Sequence, residues 1–279
     1  MEIVWAAAAA WIYGLGDFCG GRATRRLDSL AVTLYGQLFG LLLLAVALIG
    51  FADPIAPAVD WGWGAMGGAG GLAGLGLLYY CLAHGAMTVV GPLTAVVSAV
   101  VPVIVGFALG ERPSSLAIVG IAAALVGIVL VTGAIGTPHV PTAPRIVALT
   151  VIGGAGFGFM YVCLDQTSDE SGMWPLAAAR LVSISIAAVV VMSRHRTNRG
   201  SGGITAFAVA AGMFDMGANV LFVLATREGL LSLVSVITAL YPVSTILLAV
   251  RFDGERLSRT QILGLVGAGV AVAFVALGR

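Results

Sequence analysis

The sequence predicts an all-α, polytopic membrane fold: ten transmembrane helices arranged as two inverted five-helix repeats. Three observations predict it. Of the 279 residues, 59% are hydrophobic and only 10% are charged, against roughly 25% charged in an average soluble domain. Apolar runs of the length a bilayer demands, about 20 residues each, recur from end to end. The rare pair Glu111-Arg112 returns as Glu255-Arg256, 144 residues later. Too little charge is present to cover a water-soluble surface, which excludes a soluble enzyme and a disordered scaffold. The net charge of +1 gives no field to steer polyanions, which excludes a nucleic-acid binder.

The spans follow from their flanks. The first, near 4–20, enters directly after Met1-Glu2-Ile3 and ends before Arg22, Arg25 and Arg26; without a basic leader or a cleavage site it is expected to be retained. The second, 31–51, contains the unbroken run Leu41 to Ile49 and stops ahead of Asp53. The third, 63–86, is rich in glycine and closes on Tyr79, Tyr80 and His84. The fourth, 88–110, holds Pro92 and Pro102 and meets Glu111-Arg112-Pro113. The fifth, 115–134, includes the run Ala122 to Val131. Such runs are helical in length, whereas barrel strands would alternate over short segments. The prolines at 138, 141 and 144 mark a linker over 136–145. The remaining spans lie near 146–163, 173–193, 204–226, 230–250 and 260–277, leaving no room for a soluble domain.

The linker sits at mid-chain, so the expected domains are 1–135 and 146–279. The offset of 144 also pairs Gly120 with Gly264, Gly14 with Gly158, and Thr94-Ala95 with Thr238-Ala239. A repeat of five spans, an odd number, enters the membrane in opposite senses. Loop charges agree with that inversion. Arg22, Arg25 and Arg26 after the first span face Asp165, Asp169 and Glu170 after the sixth. Asp53 and Asp60 after the second face Arg194, Arg196 and Arg199 after the seventh. Arg collects in cytoplasmic loops, so both termini are expected outside.

Two stretches, Pro92–Val131 and Leu233–Ala271, carry a resemblance. The second reads Thr238-Ala239-Leu240-Tyr241-Pro242, then Gly254-Glu255-Arg256-Leu257, then Gln261-Ile262-Leu263-Gly264. In these motifs and in its ten spans the chain resembles the EamA-like family of the drug/metabolite transporter superfamily. The resemblance implies a secondary carrier in the cell membrane that moves a small metabolite, often outward, by alternating access. It marks Glu111, Arg112, Glu255, Arg256 and Pro242 as structural motif residues, with each Glu expected to cap or clamp a short turn. The family often carries an Arg in the second span as well as the seventh; here the seventh has Arg180 and the second has Gln37.

Ionisable groups inside a span cost about 2.5–3.5 kcal/mol on insertion scales, so each needs a reason. Arg180 cannot deprotonate and must find partners; it reads either as an anchor for an anionic substrate group or as a structural tie to Asp215. Asp215 and Asn219 share one face of the eighth span and read as a cavity wall, with Asp215 able to take up a proton. Gln37, Tyr79 and Tyr80 complete the expected substrate site. His84, one turn after Tyr80, is a second candidate for proton coupling or an interfacial residue. Tyr13, Trp11, Tyr161 and Trp174 are weaker candidates. The hydroxyls of Thr94, Ser98, Ser232, Ser235, Thr238 and Thr245 line helices that proline can kink.

No cofactor or metal site is expected. Cys19, Cys81 and Cys163 sit in apolar runs without metal or disulfide spacing and read as small packing residues. There is no Walker A motif, no HExxH and no GxSxG, which disfavours ATP hydrolysis and an intramembrane enzyme. A sensor or accessory subunit stays open as an alternative to a carrier. The expected partners are a small-molecule substrate, such as an amino acid, and the lipid bilayer, with no nucleic acid. The GxxxG spacings Gly36/Gly40 and Gly70/Gly74 leave a homodimer open.

Overall fold

The computed structural model describes residues 1–24, 27–51, 54–84, 87–132, 143–193, 202–253 and 257–278. Their elements are α1 (Glu2–Thr24), α2 (Ser29–Phe51), α3 (Ala58–His84), α4 (Met87–Ala108), α5 (Ser115–Val131), α6 (Pro144–Asp165), α7 (Trp174–Ser193), α8 (Gly202–Thr226), α9 (Leu231–Thr238), α10 (Tyr241–Asp253) and α11 (Arg259–Leu277), with a short 3₁₀ turn at Asp169–Ser171. No strand occurs among the described residues. The linker positions 136–142 and the motif residues Glu255 and Arg256 lie outside them.

Local chemistry sets several boundaries. Pro144 opens α6 at a position whose N–H would be unpaired anyway. Ser258 and Gln261 cap α11 reciprocally, each side chain accepting the other's backbone N–H, at 3.2 and 2.9 Å. Ser114 caps α5 by accepting from Ala117 N at 3.2 Å. After α4, Gly110 takes φ +97°, and Glu111 N donates to Gly106 O at 2.9 Å, the glycine-closed C-terminus of a Schellman motif.

The ninth span, expected as one helix over 230–250, is two. Pro242 has no N–H, and its ring collides with the carbonyl four residues back, that of Thr238. The chain makes three-residue closures there instead, Leu240 N to Ile237 O at 3.1 Å and Val243 N to Leu240 O at 2.9 Å. α4, in contrast, runs unbroken through Pro92 and Pro102, so proline alone does not decide the break.

Among the described residues, seven segments are long and apolar enough to cross a membrane: α1, Ala31–Gly50, Val89–Ala108, α6, Ala206–Thr226, Leu231–Phe252 and α11. α5 and Trp174–Val190 are shorter apolar helices. Large apolar side chains such as Leu42, Val46, Ile49, Ile104, Val189 and Val266 are exposed, as lipid-facing residues must be. The chain is an integral, multi-pass membrane protein.

The main helix contacts recur when the two halves are exchanged. α1 packs on α8 as α6 packs on α3, α2 packs on α8 as α7 packs on α3, and α4 packs on α6 as α9 and α10 pack on α1. α5 and α11 pack on each other. Glycines paired by the 144-residue offset sit at close approaches between helices. A Cβ on Gly14 would lie 2.7 Å from Tyr241 O of α10, and one on Gly158 3.1 Å from Ser98 O of α4. A Cβ on Gly120 would lie 2.8 Å from Val275, and one on Gly264 2.4 Å from Val131 N. Lipid tails give no hydrophobic push between helices, so close backbone packing must supply the cohesion.

Both GxxxG stretches are occupied by this internal packing. A Cβ on Gly212 would fall 2.0 Å from Gly36 O, and one on Gly156 2.7 Å from Gly70 O. A side chain at Gly212 should therefore separate α2 from α8: Gly212→Val should cost about 1–3 kcal/mol or more as overpacking and lower the thermal midpoint in detergent. Gly76, with nothing within 4 Å of its Cβ position, is the control. Gly76→Ala should be neutral or gain up to about 1 kcal/mol from helix propensity.

Candidate functional site

Between the two halves lies an open cavity of about 870 Å³ when the solvent space of its mouth is counted, of which about 100 Å³ is enclosed room for a ligand's atoms. Its walls come from α1, α2, α3, α4, α6, α7, α8 and α10. Most of the lining is apolar, and the polar groups concentrate on two sides.

The first side centres on Arg180, 5% exposed. Its Nη1 donates to Gln37 Oε1 and its Nη2 to Asp215 Oδ2. Ser183, almost one turn further along α7, donates to the same Gln37 oxygen at 2.8 Å. Asn219 donates from Nδ2 to the Asp215 backbone carbonyl at 2.8 Å. The guanidinium fits because α2 offers a glycine there: a Cβ on Gly40 would stand 3.3 Å from Arg180 Nη2. Three helices from both halves thus converge on one buried cation. The Asp215 side chain stays 44% exposed, so the carboxylate faces the cavity while paired.

The second side was anticipated only through the weaker candidates Tyr13 and Tyr161. Asp17, one turn beyond Tyr13 on α1, lines the cavity with Tyr13, Tyr161 and Tyr241. Ring centroids of Tyr13 and Tyr161 are 6.5 Å apart, those of Tyr13 and Tyr241 6.4 Å, and Tyr161 stacks on Phe222 at 4.3 Å. The missing side chain at Gly14 lets α10 approach α1 and sets Tyr241 beside Tyr13. A signal for Asp17 did exist, since it is a carboxylate inside the 4–20 span; its place near the end of that span masked it. Ser183 had no signal, since serine is common in such helices.

Of the expected substrate residues, Arg180, Asp215, Asn219 and Gln37 come together here. Tyr80 does not: it is 41% exposed and stacks on His84 at 4.3 Å, and His84 Nδ1 lies 2.8 Å from the Tyr80 carbonyl. This pair ends α3 away from the cavity lining. The side chain of Tyr79 lies outside the described residues. Among the described residues no group of three His, Cys, Asp or Glu could hold a metal ion. Cys19, Cys81 and Cys163 are buried free thiols.

At the end of the bundle holding the N-terminus, side chains fasten the halves together. Glu111 accepts from Leu231 N at 2.6 Å and Ser232 N at 3.0 Å. It thereby caps the N-terminus of α9, whose own cap residue Leu230 gives no side-chain bond. The expected clamp thus exists at Glu111, but it reaches across to the other half instead of closing its own turn. Arg112 Nη1 donates to the Glu111 carbonyl at 2.9 Å. A Cβ on Gly106 would strike Glu111 Oε2 at 2.4 Å, so that glycine makes room for the clamp. Asp60, in the first turn of α3 and ahead of its apolar span, accepts from Ser168 Oγ at 2.6 Å and from Ser171 Oγ. Burial alone would raise the Asp60 carboxyl, but the two serine bonds and the Arg227 charge outweigh it and hold the group below the usual carboxylate range. Arg227 also donates to Gly172 O.

The comparisons come to the same fold. The model of the EamA-like transporter family matches residues 1–133 and again 144–277. A solved crystal structure aligns with TM-score 0.79 and 17% identity, over 99% of this chain and 96% of that one. No curated protein matches the sequence.

The Arg180 network yields an asymmetric prediction. Asp215→Ala leaves a buried guanidinium with Gln37 as its remaining partner and should cost up to about 3–5 kcal/mol. Arg180→Met leaves a carboxylate that cavity water can reach, and should cost less. Thermal unfolding of both single variants and the double variant checks this, with the double expected near Arg180→Met alone.

Proposed function

Because the chain belongs to the EamA-like transporter family, we propose that it is a secondary carrier, exporting a small metabolite such as an amino acid across the cell (inner) membrane by alternating access. The observation that carries this reading is the cavity, apolar with two polar sides, enclosed by helices of both family-matched segments. Carriers built from repeats bind substrate where the repeats meet and expose it by rocking one against the other. The packing that survives exchange of the halves supports two such bodies, 1–135 and 146–279, joined by the 136–145 linker. With five spans in each, the bodies insert in opposite senses, and the Arg-rich ends of α1 and α10 face the cytoplasm with both termini outside.

The clamps supply the gating side of the mechanism. Opening the cavity toward the N-terminal end requires release of the Glu111 and Asp60 contacts between halves. Hydrogen bonds to charged groups contribute about 1.5–3 kcal/mol each, enough to set which side the resting carrier closes. Arg180 and Asp215 join α7 to α8 within one half and reach α2 of the other through Gln37. Their pairing couples the state of the site to the contact between bodies.

Proteoliposome counterflow tests the reading. Accelerated exchange of a labelled amino acid or amine by the same solute inside is expected; no counterflow across a broad metabolite panel, in sealed vesicles holding folded protein, would sink it. Glu111→Ala should change turnover far more than apparent affinity. Asp60 adds a pH signature. Its folded pKa is lowered, so its stabilisation is complete above the unfolded value of about 3.9 and is lost as pH falls through the folded one. Melting curves between pH 6 and pH 3 should show wild type losing more stability than Asp60→Asn.

A further inference from the structure

Among the described residues, two carboxylates and one guanidinium line the cavity. Arg180 is committed to Asp215 and Gln37, which leaves Asp17. Among the described residues nothing donates a hydrogen bond to the Asp17 carboxylate, and no Arg pairs with it; the other charge acting on it is the carboxylate of Asp215. Yet its side chain is open to the cavity. An unpaired carboxylate inside a bilayer is expensive, and a ligand of opposite charge is the partner that would settle it.

The surroundings narrow the ligand. Tyr13, Tyr161 and Tyr241 line the cavity with Asp17. The rings of Tyr161 and Tyr241 are both tilted against Tyr13, at 58° and 61°, so the three do not stack into a closed slab. The Tyr13 hydroxyl is buried without a hydrogen bond of acceptable geometry. Ring faces attract cations, most strongly when water is excluded, and aromatic walls beside a carboxylate suit an ammonium group. An anionic ligand meets the opposite situation, since the cavity's one guanidinium is already neutralised.

We propose that the cavity binds its substrate through an ammonium group, held between the Asp17 carboxylate and the rings of Tyr13, Tyr161 and Tyr241. This rests on the carrier reading and names its substrate class: a primary amine or quaternary ammonium of amino-acid size with no net negative charge. The apolar side chains of Leu72, Leu75 and Met160 take the remainder of the molecule.

Equilibrium binding to the purified full chain in nanodiscs tests it, read by calorimetry with choline, phenethylamine and 3,3-dimethylbutanol, the neutral isostere of choline. Both cations should bind, and the alcohol should bind at least about tenfold more weakly. Asp17→Asn should lose about tenfold or more in affinity for both cations, with its melting midpoint retained. If Asp17→Asn does not fold, Tyr13→Leu, which keeps the charge, should still weaken choline by severalfold. Equal binding of choline and its isostere, or unchanged cation affinity in a folded Asp17→Asn, would overturn the proposal. The two readings fail separately. Cation binding without any counterflow removes the carrier and keeps the ammonium site, whereas counterflow of carboxylic acids without cation binding does the reverse.

Discussion

A guanidinium that cannot shed its proton sits inside the bilayer, and much of the structure answers to it. Arg180 remains charged in any environment a protein can offer, so its helix must be met by acceptors from its neighbours. Asp215 of α8 neutralises it and Gln37 of α2 takes the second bond. For those side chains to arrive, three helices must approach more closely than ordinary side chains permit. Gly36, Gly40 and Gly212 provide that approach. Electrostatic need and glycine content are two statements of one constraint: a buried charge requires short distances, and short distances require small residues.

The same economy governs the scaffold away from the charge. Gly14 and Gly158 let α1 and α6 meet α10 and α4, and Gly120 and Gly264 let α5 and α11 meet. These are pairs at the 144-residue offset, so what the repeat preserves is where backbones touch. Packing of apolar surface cannot hold helices together in a solvent that is itself apolar. Fine backbone fit and a few polar ties do so instead, and the ties seen here, at Glu111, Asp60 and Arg227, cluster at the N-terminal end.

How far the sequence could be read follows from which interactions are local. Helix positions came through well, because hydropathy and capping residues act within a few residues; each expected span has its helix except the ninth, which has two. The repeat was legible because Glu111-Arg112 and Glu255-Arg256 are rare against an apolar background. Arg180, Asp215, Asn219 and Gln37 were legible as polar groups that a membrane would not tolerate without purpose. What failed depended on distance or depth. The break between α9 and α10 required knowing which proline the helix would obey, and Pro92 and Pro102 did not interrupt α4. Glu111 was read as closing a local turn, while its partners are more than a hundred residues away at Leu231 and Ser232. Tyr80 and His84 share a helix face, but that face ends away from the cavity. Asp17 was passed over since residues near a span's end resemble interfacial ones, yet it lines the cavity.

The scaffold repeats, but its site does not. The offset that maps Gly14 onto Gly158 maps Arg180 onto Gly36, Asp215 onto Gly71 and Asp17 onto Tyr161. Crossing points are constrained by sterics in both halves, since a side chain at either would separate two helices. Cavity walls carry no such demand: a charge in one half can be answered by a glycine or a ring in the other, and the pairing across the cavity matters more than identity along it. Such division of labour suits a carrier. Two bodies of like architecture give the inward and outward arrangements similar packing energies, so modest ties such as Glu111 and Asp60 can tip the balance between them. Unlike walls would, on the proposed ammonium site, give the substrate one orientation to bind in, with its charge toward α1 and away from the neutralised arginine.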